Sequence, residues 1–120
     1  MSNIDLMKAK RAVVGRRVWK IMVEDSPEYS LWIVYGPKLK TSHIVLPGVH
    51  CDCYDFLFNV LIRGRKTKCY HILAQEIAES QGRYQVVTMD RATLTKFIFL
   101  QKLKGNINVW AFKARQQLQL

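Results

Sequence analysis

The chain has 120 residues, enough for one domain, 1–120, with a modest core. Its hydrophobic fraction of 49% excludes a disordered chain, and 19 Lys and Arg against 9 Asp and Glu give a formal net charge of +10. No apolar run is long enough for a membrane helix, and the start MSNIDLMKAKRAVV lacks the apolar core of a secretion signal, so a cytoplasmic, nucleoid or nuclear location is expected. So basic a surface selects polyanions, of which nucleic acid is the commonest soluble one. Solubility alone is the plainer explanation.

Residues 3–14 place Ile4, Leu6, Met7, Val13 and Val14 near helical spacing, with Asn3 or Ser2 as cap and Gly15 as stop. Lys8, Lys10, Arg11, Arg16 and Arg17 make this end basic, as an arm for phosphates or as a solvated helix face. Val18–Val23 reads as a strand with Trp19, Ile21 and Val23 on one face. Residues 24–28 form an acidic turn, and Tyr29–Tyr35 returns as a second strand, paired antiparallel with the first. Trp19, Trp32 and Tyr35 offer either a stacking platform for bases or a small aromatic core.

Gly36 and Pro37 end that strand, 38–41 is a basic loop, and Ser42–Leu46 is a third, short strand. After the turn at Pro47-Gly48 the chain enters its cysteine-bearing stretch. Residues 56–62, FLFNVLI, are apolar over a length that does not separate strand from helix. Arg63, Arg65, Lys66 and Lys68 then form a basic loop bent at Gly64. It is a candidate for nucleic-acid phosphates or an exposed solubilising tip. Residues 69–80 read as a helix ending before Gly82, 83–89 as a strand, and 91–104 as a helix capped by Asp90 and stopped by Gly105. The broad apolar stripe of that last helix, with Phe97 and Phe99, is either core or a partner surface. Residues 106–112 alternate as a late strand, and 114–120 read as a short helix or tail.

The three cysteines of the chain all fall in one window: Cys51-Asp52-Cys53, then residues 54–68, then Cys69-Tyr70-His71. An odd number argues against a disulfide framework. Three thiolates and one imidazole complete a tetrahedral zinc shell, and on a strand the i and i+2 side chains share a face. Such a shell is closed, so the Zn2+ is structural rather than catalytic and no catalytic residue is expected. His43 and His50 are alternative ligands without a spaced partner of their own. Asp52 and Asp55 read as hydrogen-bonding or exposed carboxylates, since chemistry at the metal needs an open position.

The pattern C-x-C…C-x-H, here CDCYDF…KCYHILA, resembles the SWIM-type zinc finger over about residues 42–80. Phe56 and Ile72-Leu73-Ala74 are similar to that family as well. The likeness implies an α+β fold: a small antiparallel sheet with flanking helices, built around a β-hairpin and helix that hold the metal, with Phe56 packed beneath it. A narrower resemblance, carried by Ala74 three residues after His71, is to the SWIM proteins of Shu-type complexes. It implies an accessory role beside a recombinase paralogue in DNA repair. Two functions are therefore expected in competition. One is a zinc-stapled module that binds DNA, a protein, or both. The other is a protein adaptor whose charge serves solubility. A zinc deaminase is disfavoured, because Leu73 stands two residues after His71 and the cysteine pair is C-x-C. The chain carries no glycine-rich phosphate loop, so neither nucleotide hydrolysis nor a small-molecule substrate is expected.

Overall fold

The computed structural model describes residues 3–105 and 107–109, apart from the side chain of Pro27. It shows a five-stranded sheet with helices against both faces. The elements run α1 (Asn3–Val14), β1 (Val18–Val23), β2 (Ser26–Tyr35), β3 (Ser42–Leu46), β4 (His50–Cys51), a π-helical segment (Phe56–Ile62), α2 (Tyr70–Gln81), β5 (Gln85–Met89) and α3 (Arg91–Lys104). The strand order is β4-β3-β2-β1-β5.

Alternation along the central strands sorts side chains into two cores, as the two-residue strand period requires. Val18 of β1 and Trp32 and Val34 of β2 face α1 and α2, together with Val45, Phe56 and the three cysteines. Ile21, Ile33 and Tyr35 face the other way, against Val87, Met89 and Phe97. With both faces covered, β2 reads as the nearly unbroken apolar run LWIVY. Trp32 and Tyr35 are fully buried, which makes them core rather than a stacking platform.

Three ladders are antiparallel: β1–β2, β2–β3 and β3–β4. The expectation of an antiparallel sheet needs one correction, because β5 joins β1 in parallel, with Ile21 opposite Val87. A parallel neighbour needs a crossover connection, and α2 supplies it. The turn between β1 and β2 is also tighter than expected, since β2 already starts at Ser26. A register shift beside Val23 absorbs the difference.

Helix ends follow local chemistry. Thr93 N–H donates to Asp90 Oδ1 at 2.7 Å, capping α3. Gly82 ends α2 with φ 66°, a left-handed conformation that a side chain would strain. On α1, the buried Ala9, Ala12 and Val13 allow close approach to α2. At the other face, the Tyr35 hydroxyl donates to the Ile107 carbonyl (2.8 Å) and accepts from Val109 N–H (2.7 Å). Residues 107–109 thus wrap β2 and form no strand. Ser2, Asn106 and 110–120 lie outside the described residues, and with them the rest of the strand and tail expected there.

Candidate metal centre

β4 and α2 bring the four donors together. Val45 of β3 pairs with Cys51, which fixes the hairpin that carries the first two sulfurs. Cys69 is the N-cap of α2, and His71 lies in its first turn. The donor atoms of Cys51, Cys53, Cys69 and His71 lie within 4.8 Å of one another, and all four residues are buried. Cys69 Sγ is 3.8 Å from His71 Nδ1. None of the cysteines is in a disulfide. With Zn–S about 2.3 Å and Zn–N about 2.0–2.1 Å, a tetrahedral shell has S···S edges of about 3.8 Å and S···N edges of about 3.6 Å. The set therefore fits a tetrahedral ion after its widest separation closes by about 1 Å.

The charge of the site is shaped by its neighbours. Three sulfurs this close cannot all ionise without a cation between them. Hydrogen bonding to the other two sulfurs, with burial, raises the Cys51 pKa strongly. The same sulfur contacts lower that of Cys53 against burial, helped by His71 and the Phe56 amide. For Cys69 the Cys51 sulfur pulls downward, but Cys53 and burial outweigh it and push the thiol up to about 11. A metal ion binding these sulfurs as thiolates displaces their protons to solvent. Phe56 N–H donates to Cys53 Sγ at 3.3 Å, and its ring is buried in the same core, as expected for a residue beneath the site. The positive end of the α2 dipole also favours a thiolate-rich site.

A surrounding polar set holds this frame. Asp52, between the first two cysteines, accepts from Ile44 N–H (3.1 Å) and contacts His43 Nδ1 (3.1 Å) through Oδ1. Its Oδ2 lies 3.6 Å from Lys102 Nζ of α3. The His43 ring packs against the His71 ring at 4.5 Å, so His43 supports a donor and is not one of the four. His50 is exposed and meets the edge of Phe56. The role of Asp52 as a tie between hairpin and α3 carried no spacing signal in the sequence.

The four basic loop residues divide. Arg63 and Arg65 are exposed. Lys66 Nζ bridges Asp5 Oδ2 of α1 (2.8 Å) and Asp55. Lys68 Nζ binds Glu76 Oε2 of α2 at 2.7 Å. Two of the four thus have carboxylate partners within the chain. The apolar surface also lies elsewhere than expected. Phe97 is 0% exposed and belongs to the core, whereas Phe99 on the same helix is 64% exposed. A larger exposed set, Tyr54, Leu57, Phe58, Leu61 and Ile62, sits on the segment between the ligand pairs. Its run of apolar residues was visible in the sequence, but the side they face was not.

Comparison with protein-family models, with curated proteins and with solved structures finds no match to this chain. What the fold and the site define is a mixed α+β domain carrying a buried Cys3His cluster suited to a metal ion. Among the described residues no helix is long and apolar enough to cross a membrane.

Proposed function

We propose that the protein is a SWIM-type zinc module in which Zn2+ is structural and the basic surface meets nucleic acid, DNA first among candidates. The observation that carries this is the convergence of four buried donors with the ligand chemistry of a closed zinc site. Four protein ligands leave no corner for an attacking water, which favours a binding role over an enzymatic one. Zinc is favoured over other ions because three thiolates and an imidazole suit it in both softness and geometry. Under the narrower likeness, the module assists a recombinase-like ATPase acting on DNA. The formal charge of +10 supports a polyanion partner.

The test compares zinc-loaded and zinc-stripped chain on labelled DNA over a salt series. Binding that requires zinc and falls steeply with salt supports the reading, and no retention at low salt refutes the nucleic-acid part. One observation favours a protein adaptor as the second reading: the exposed Tyr54, Leu57, Phe58, Leu61 and Ile62 beside the metal. Binding of a purified recombinase paralogue that survives nuclease treatment and is lost on Phe58→Asp would support it.

A further inference from the structure

Beyond the loop at 63–68, a second basic feature lies beside Tyr70, whose ring also packs against the His71 ring at 4.0 Å. Lys8, Arg11, Arg17, Pro37 and Tyr70 line a cleft of about 260 Å³. Three cations thus share one small concavity with a phenol and a proline ring. Among the described residues no acidic side chain lines it. Among the described residues, none of the ion pairs uses Lys8, Arg11 or Arg17. Arg17 donates from one guanidinium nitrogen to the Tyr35 carbonyl at 3.2 Å, which anchors its stem and leaves its remaining donors for another acceptor. Lys8 Nζ lies 5.7 Å from the centre of the Tyr70 ring, so an aromatic face already holds one cation in place.

Three like charges repel, and a folded chain keeps them together most readily where an anion completes the set. The walls carry a second sign of constraint. Among the described residues, the non-glycine positions with left-handed backbone are Arg16 (φ 58°), Lys38 (φ 63°) and Leu39 (φ 59°). They lie within two residues of Arg17 or Pro37, both of which line the cleft. These turns fix the backbone beside Arg17 and Pro37.

We infer that the cleft formed by Lys8, Arg11, Arg17, Pro37 and Tyr70 is a phosphate subsite for a single-stranded nucleic acid. The guanidinium groups and the lysine take a backbone phosphate, and the Tyr70 ring and Pro37 offer an apolar wall to the adjoining sugar or base. The volume suits one nucleotide unit and is below the usual range for a whole dinucleotide cofactor. A track also leads to it. Lys66, which follows the exposed Arg63 and Arg65 in the chain, is tied to Asp5 on α1, and Lys8 lies about one turn further along that helix. The metal bears on the same site, since Tyr70 stands between Cys69 and His71 and the ligands fix its backbone.

This subsite rests on the nucleic-acid reading above, and the test separates the two. Zinc-loaded full chain is titrated against a labelled single-stranded DNA oligonucleotide, by anisotropy, over a salt series. Lys8→Gln with Arg11→Gln is compared with the parent, with each single substitution, and with Arg63→Glu plus Arg65→Glu. Both α1 positions are exposed, so metal content and urea midpoint serve as controls for folding. The subsite requires a loss of affinity of about tenfold or more in the double variant, with partial losses in the singles. The slope of log K on log salt should fall by about 0.7 for each phosphate contact removed. Unchanged affinity and slope in the α1 variants, with loss in the Arg63 and Arg65 variant, overturns the subsite and keeps the nucleic-acid reading. A parent that binds no strand overturns both. Inorganic phosphate and a mononucleotide are run as competitors. Displacement of the strand by either at micromolar concentration makes a small phosphate compound the occupant and overturns the strand assignment.

Discussion

Replacing Lys66 by Met separates a structural cation from a nucleic-acid contact. The ammonium joins Asp5 on α1 to Asp55 at the start of the π-helical segment, and so ties the first helix to the metal hairpin. Met keeps the apolar stem and removes the charge. The Lys66 side chain is 20% exposed and that of Asp5 12%, which puts this half of the bridge near the buried limit. Asp55, at 36%, lies closer to the surface regime. Breaking a buried pair by removing one partner costs about 3–5 kcal/mol, whereas an exposed pair contributes about 0–1. The mixed exposure gives an expected loss of about 2–3 kcal/mol, read as a lower urea midpoint at fixed excess zinc. Adding Asp5→Asn should recover part of it, with a coupling energy above about 1 kcal/mol. The pH dependence has a definite sign. Burial lowers the Lys66 pKa, but hydrogen bonds to Asp5 and Asp55 outweigh it and raise it. A raised lysine contributes fully below its unfolded value of about 10.4 and loses the contribution as pH rises through its folded value. The parent should therefore lose its advantage over Lys66→Met only in strong alkali. A stability change under about 0.5 kcal/mol, together with a marked loss of DNA affinity, would refute the structural role.

Three further outcomes are expected. Phe97→Ala should cost about 3–5 kcal/mol and Phe99→Ala under about 0.5, because one ring is core and the other faces solvent; equal costs by urea unfolding would contradict the packing. Asp52→Ala leaves the Ile44 amide and His43 without their acceptor, and should weaken zinc retention against a chelator by about tenfold while leaving the four donors in place. Lowering the pH protonates the thiolates, so zinc should leave and the fold loosen in one coupled transition; far-UV dichroism that stays fixed while zinc is released would break that coupling.

Much of the fold was legible because local signals agreed. Asn3–Val14, Val18–Val23, Ser42–Leu46 and Arg91–Lys104 are bounded by Gly15, Pro47 and the Asp90 and Gly105 pair, residues whose backbone preferences end or start elements on their own. The metal set was legible for a similar reason: two x-spaced pairs needed only a hairpin and a helix start to meet. Sites that depend on distant partners were not. Nothing near Lys66 indicated that Asp5 would meet it, and the helical period within 91–104 grouped Phe97 with Leu103, of which only Phe97 is core while Leu103 faces solvent like Phe99. The parallel pairing of β5 follows a helical crossover rather than a turn, so no local residue chose its edge. The cleft on α1 needed Tyr70 and Pro37, which only the packing of α1, α2 and the loop after β2 brings beside Lys8 and Arg11.

X-ray absorption at the zinc edge, on protein purified with zinc, tests the closed metal site most directly. One zinc per chain with three sulfurs at about 2.3 Å and one nitrogen at about 2.0–2.1 Å is the expected shell, abolished by Cys51→Ala or His71→Ala. A solvent oxygen in the shell, or full retention of zinc in either variant, would contradict it.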